Sequence, residues 1–139
     1  MELVIDANIV LAGLLRNSVT KALIIDPQLT LHAPDQLLTE TERRLTTSSR
    51  FRRRLNLSNE ELGTILSFLF APITVHAKKH YSRALKQAIT IAPHDEDAPC
   101  LTLALALDIP LWSNDRGLAT QETVDIFTTA DVIASLTTS

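Results

Sequence analysis

The chain has 139 residues, 45% of them apolar, which is enough to bury a core as one domain over residues 1–139 and too many for a disordered polypeptide. A net charge of −3 excludes a generally basic nucleic-acid binder, and three glycines leave no glycine-rich phosphate loop. The single cysteine, Cys100, excludes a disulfide framework and a thiolate metal cluster within one chain.

Glu2 to Ile5 reads as a short buried strand, with three apolar residues in succession leading into Asp6. Asn8 is a suitable N-cap for the helical pattern Ile9, Val10, Leu11, Leu14 and Leu15. A second helix over Val19 to Ile25 stops before Pro27, and Leu29 to Ala33 is the next strand, closed by Pro34. The following helix, Asp35 to Thr46, turns Leu37, Leu38 and Leu45 inward, and Thr46 to Ser49 reads as a loop or frayed turn. Ser58 and Glu61 form a capping box for a helix through Leu62, Ile65, Leu66, Leu69 and Phe70, which ends before Pro72.

Ile73 to Val75 is a third strand, and Tyr81 to Ile91 a helix with Leu85, Ala88 and Ile89 inward. His94-Asp95-Glu96-Asp97 then leads into a helix opened by Ala98-Pro99 and apolar nearly all round to Leu107, which makes it the most buried helix. Pro110 to Ser113 is a strand ending at Asn114-Asp115, Val124 to Phe127 is a last strand, and Ala130 to Leu136 a last helix. Strands alternate with helices throughout, so the expected fold is an α/β sandwich around a mainly parallel sheet. The longest apolar run, Ile65 to Val75, is about half a membrane span, and no basic leader precedes the first strand. The expectation is a soluble, cytoplasmic protein with no membrane contact.

In a parallel sheet, ligands collect beyond the carboxyl ends of the strands. Asp6 and Asp115 follow two strand ends, Asp97 stands at the start of the buried helix, and Glu40 lies one helix after the Leu29 strand. Taken singly, each has an ordinary reading as a turn former, a helix-start residue or, for Glu40, a partner of Arg43 or Arg44. Jointly they are a candidate site for Mg²⁺ or Mn²⁺, hard cations that take oxygen ligands and activate water toward a phosphodiester. His32, His76, His80 and His94 show no metal-ligand spacing with Cys100 or with one another. Arg43, Arg44, Arg50, Arg52, Arg53 and Arg54 put six of the thirteen basic residues in one short block, either a phosphate-contacting surface or a solvated helix face. Trp112, in its strand context, reads as core.

These pieces, Val4-Ile5-Asp6-Ala7-Asn8, Ala33-Pro34-Asp35 with Leu38-Thr39-Glu40, Asp95-Glu96-Asp97-Ala98-Pro99, and Leu111-Trp112-Ser113-Asn114-Asp115, resemble the PIN-domain nucleases in order and separation over nearly the whole chain. The resemblance implies a three-layer α/β/α sandwich and a Mg²⁺- or Mn²⁺-dependent ribonuclease, with the toxin of a VapC-type toxin–antitoxin pair as a frequent form. It implies Asp6, Glu40, Asp97 and Asp115 as the acidic quartet, with Asp6, Asp97 and Asp115 on the metal. Asp95 competes with Asp97, and Glu42 with Glu40. Asn8 is a candidate to orient Asp6 or a metal-bound water, and Ser113 and Asn114 to shape the site. RNA, an antitoxin and a second copy of the chain are the implied partners. The alternative is a catalytically silent PIN-like module that binds RNA or protein; a phosphotransferase using Asp6 as nucleophile is disfavoured by Asn8 where a second Asp would serve.

Overall fold

β1, Glu2–Ile5, is the middle strand of a five-stranded sheet in the computed structural model, which describes residues 1–15 and 18–137. Leu3, Val4 and Ile5 are fully buried, so β1 is covered on both faces, which is why its apolar residues run without alternation. With β2 (Thr30–Pro34), β3 (Ile73–His76), β4 (Leu111–Trp112) and β5 (Ile126–Phe127), the order is β3-β2-β1-β4-β5 and every neighbouring pair is parallel. The architecture is the expected α/β/α sandwich.

Eight α-helices lie among the described residues: α1 (Ala7–Leu15), α2 (Ser18–Ile24), α3 (Asp35–Thr47), α4 (Ser49–Leu55), α5 (Asn59–Phe70), α6 (Leu85–Ile91), α7 (Ala98–Leu107) and α8 (Thr129–Thr137). Among the described residues, no helix is long and apolar enough to cross a membrane. α7 packs on β1, β2 and β4 and buries six of its residues, as its nearly uniform apolar surface requires. The capping box at Ser58 and Glu61 is present in both directions, at 3.1 Å each way.

The sequence of strands reverses at β1. The chain builds outward from β1 through β2 to β3, then returns to add β4 and β5 on the other side. That reversal places the carboxyl ends of β1 and β4 side by side, with Ile5 in register with Trp112. Asp6 and Ser113 are the next residues on each strand.

Four local expectations differ from the structure. Asn8 does not cap α1: Asp6 does, its Oδ1 accepting the Ile9 N–H at 2.9 Å. Thr46 to Ser49 is not a loop. α3 continues to Thr47 and α4 starts at Ser49, with the Thr46 and Thr47 hydroxyls bonded back to the Glu42 and Arg43 carbonyls. Residues 78–84 form two 3-10 turns, so α6 begins only at Leu85. Its inner face then centres on Ala88 and leaves Ile89 56% exposed. His32 and His76, distant in sequence, share a 2.9 Å hydrogen bond, and His32 also meets Glu2 at 3.0 Å, tying β1, β2 and β3 together.

Candidate active site

A cleft of about 440 Å³ opens beyond the carboxyl ends of β1 and β4. Asp6, Glu40, Asp97 and Asp115 all line it. Each is delivered by a different element: the β1–α1 junction, mid-α3, the 3-10 turn Asp95–Asp97 ahead of α7, and the loop after β4. The two competitors fall outside. Asp95 and Glu42 are exposed, and neither lines the cleft.

Asp6 is buried at the floor, 7% exposed. Burial raises its carboxyl above the ordinary value; hydrogen bonds from the Ser113 side chain and the Ile9 and Asn8 amides oppose the rise, and the Asp115 charge adds to it. Ser113 is fully buried and also accepts the Asp115 N–H at 3.1 Å, so one hydroxyl couples two of the acids. Asp115 Oδ1 in turn accepts the Gly117 N–H at 2.8 Å.

Asp97 occupies the N-cap position of α7, yet its side chain makes no cap hydrogen bond. Its Oδ2 is buried and has no hydrogen-bond partner among the described residues. An aspartate at a helix start is ordinarily explained by the cap it supplies. Here that explanation fails, and a buried oxygen without a donor is costly. Burial is the main cause raising the Asp97 carboxyl, followed by the charge of Asp115. Two acids held above their ordinary values beside a third are a suitable donor set for a hard cation, which would reverse both shifts.

Glu40 is different. Its Oε1 accepts from Arg43 at 2.8 Å and Arg44 at 3.2 Å, and the Arg43 hydrogen bond leads the causes that lower its carboxyl. Among the described residues, no three His, Cys, Asp or Glu side chains are placed so that they could share a metal ion. The expected three-aspartate ligand set is therefore not assembled by these side-chain positions. Asp6 and Asp115 each direct an oxygen to a backbone amide instead. Mg²⁺ commonly takes one or two carboxylates and completes its shell with water, which this arrangement suits.

The supporting residues divide. Ser113 touches Asp6 directly. Asn8 meets Asp6 through its backbone amide; its side chain accepts from Arg44 Nη1 at 3.4 Å. Asn114 faces away and brackets Thr129, accepting its N–H at 2.8 Å and donating to its hydroxyl at 3.0 Å, which joins β4 to α8. Trp112 is fully buried and donates to the same hydroxyl. Of the arginine block only Arg44 lines the cleft. Arg50, Arg52, Arg53 and Arg54 are exposed on α4, and no ion pair joins them to a carboxylate among the described residues. Glu96, which has no place in the acidic quartet, also lines the cleft; its adjacency to Asp97 is the signal the sequence offers for it. Cys100 sits behind Asp6, its thiol donating to the Ile5 carbonyl at 3.8 Å, and burial pushes that thiol far up.

A family model described as PIN domain matches residues 4–136. No curated protein matches the chain. Among solved structures, PAE2754 from Pyrobaculum aerophilum superposes with a TM-score of 0.72 at 16% identity, covering 100% of this chain and 91% of that one. VapBC2 from Rickettsia felis, bound to a DNA fragment from their promoter, gives 0.66 at 11% identity, covering 92% and 98%. At these identities the likeness is one of fold.

Proposed function

Because the chain belongs to the PIN-domain family, we propose that it is a divalent-cation-dependent endoribonuclease acting at the cleft beyond β1 and β4. The observation that carries this reading is Asp97 Oδ2, buried without a donor in a cleft shared with Asp6, Glu40 and Asp115. Asp6, Asp97 and Asp115, which line the cleft, are the residues that would hold Mg²⁺ or Mn²⁺ once their side chains turn to share it. When bound, such a cation supplies Lewis acidity for attack of water on an RNA phosphodiester.

The chain's own residues do the rest. Ser113 and the Ile9 amide fix the Asp6 carboxylate on the cleft floor. Asn114 supports the site from outside by anchoring the end of β4 to α8. Arg43, Arg44 and the α4 arginines Arg50, Arg52, Arg53 and Arg54 offer phosphate contacts that position a strand without reading its bases. The fold likeness to VapBC2 favours a toxin with an antitoxin partner; self-association and a cytoplasmic setting accompany that reading.

The test is cleavage of a labelled structured RNA with Mn²⁺, with EDTA, and by Asp6→Asn. Cleavage that needs Mn²⁺ and is lost in Asp6→Asn supports the reading; equal cleavage by wild type and Asp6→Asn overturns it. A small upstream gene for a DNA-binding protein would support the toxin role. A second reading, a catalytically silent module that binds RNA or protein, is favoured by the absence of an assembled three-ligand cluster among the described residues. RNA binding with no cleavage in Mn²⁺ would select it.

A further inference from the structure

Resting on the nuclease reading, we propose that Arg44 is the phosphate-binding residue of the cleft and that Glu40 is its positioning residue rather than a metal ligand. Arg44 is the one basic side chain on the cleft wall among the described residues. Its guanidinium reaches three elements at once. Nε donates to Glu40 Oε1 on α3 at 3.2 Å, Nη1 donates to Asn8 Oδ1 on α1 at 3.4 Å, and Nη2 lies 3.8 Å from Glu96 Oε2 ahead of α7. It is therefore a crosspiece over the mouth of an acidic cleft, with its side chain 30% exposed.

The contacts to Asn8 and Glu96 are long. A guanidinium has five N–H donors in a flat fork that matches two phosphate oxygens, so it can exchange these weak contacts for a bidentate one. The need for such a cation follows from the lining: Asp6, Glu40, Glu96, Asp97 and Asp115 would otherwise repel a polyanion. Glu40 is suited to the positioning role. It is already engaged by two guanidiniums, whereas Asp97 keeps an oxygen free. The Glu40–Arg44 spacing of one helical turn fixes the fork against the cleft wall. Among the described residues the α4 arginines have no such carboxylate partner and do not line the cleft, so they can add affinity without placing the reacting phosphate.

Two binding measurements decide the proposal, with cleavage kinetics beside them. Stopped-flow anisotropy with a single-stranded RNA in Mn²⁺ reads binding before cleavage, across a salt series. Arg44→Ala should weaken binding about tenfold and reduce the salt slope by about 0.7, the value of one phosphate contact on a single strand. Arg44→Lys should restore the slope but only part of the affinity. By calorimetry, Glu40→Gln should keep Mn²⁺ affinity within about threefold of wild type while lowering kcat, because the fork loses its fixed placement. A wild-type salt slope in both Arg44 variants overturns the phosphate assignment. Mn²⁺ binding weakened as much in Glu40→Gln as in Asp97→Asn overturns the positioning assignment. If the wild type cleaves no RNA, the nuclease reading fails, and these two measurements still decide Arg44 and Glu40.

Discussion

Two helices start beside the same cleft with an aspartate at their opening, Asp35 as the first residue of α3 and Asp97 as the N-cap of α7, and the two aspartates are opposites. Asp35 opens α3 with its carboxylate saturated: it accepts the Tyr81 hydroxyl at 2.7 Å, the Gln36 N–H at 2.9 Å and the Lys78 N–H at 3.2 Å. Its carboxyl is lowered, chiefly by the Tyr81 bond. Burial, followed by that bond, pushes the Tyr81 phenol far up. Asp97 opens α7 with no cap bond, one oxygen without a donor, and a raised carboxyl. The helix dipole favours both equally. The difference lies in the donors around them. The β3–α6 connection, through Lys78 and Tyr81, closes over Asp35 and makes it part of the fold. Asp97 Oδ2 is just as enclosed, but no donor among the described residues meets it.

Four experiments press on that contrast, beginning with the largest effect. Asp97→Asn should lower RNA cleavage about 10³-fold, equivalent to about 4 kcal/mol at the transition state. It should not lower the melting temperature in EDTA, since an amide costs less than a charge at that position. A marked loss of metal-free stability would make Asp97 structural, like Asp35. Next, Mn²⁺ at about 100 times its Kd should add about 2.7 kcal/mol to the unfolding free energy of the wild type and almost none to Asp97→Asn. Denaturant melts with and without Mn²⁺ measure this.

Asp35→Ala should cost about 2 kcal/mol of stability by leaving the Tyr81 hydroxyl and the Lys78 amide without their acceptor, with cleavage per folded molecule changed far less than by Asp97→Asn. Cleavage abolished in a well-folded Asp35→Ala protein would erase the distinction. The smallest effect is in the pH dependence of metal-free stability. Asp6 and Asp97 are raised, so their contribution is complete below the ordinary aspartate value near 3.8 and is lost as pH rises through their folded values. Asp35 is lowered, so its contribution is complete above that value and is lost as pH falls through its folded value. Urea melts in EDTA should therefore show the first limb flattened in Asp97→Asn and the second removed in Asp35→Ala.

Much of this was legible in the chain because single residues carried it. Successive Leu3, Val4 and Ile5 implied a strand buried on both faces, and Ser58 with Glu61 implied a cap that is present. The apolar wrap of α7 implied its burial against the sheet. The acidic positions were legible through their places at strand ends and a helix start, and the structure brings all four to one cleft. What was not legible depends on partners far away in sequence or on phase. Asn8 has the right chemistry for a cap, but Asp6 reaches Ile9 first. Two 3-10 turns shift the inward face of α6, and no periodicity rule anticipates them. Six arginines look alike in sequence, yet only Arg44 stands one turn from Glu40 and across from Asn8 and Glu96, so only it reaches the cleft wall.

Cys100 gives the cleft a built-in clock. It is the single cysteine of the chain, it lies against the backbone of β1 immediately before Asp6, and its thiol is kept protonated by burial. Cys100 also lines the cleft at 8% exposure, so a thiol reagent reaches it slowly, by entering between the carboxylates or when α7 lifts from β1. The labelling rate therefore reads how open the cleft and the α7–β1 seam are. Anything that seats itself among the carboxylates and holds α7 to the sheet slows the clock, whether or not a bond in a substrate is ever cut.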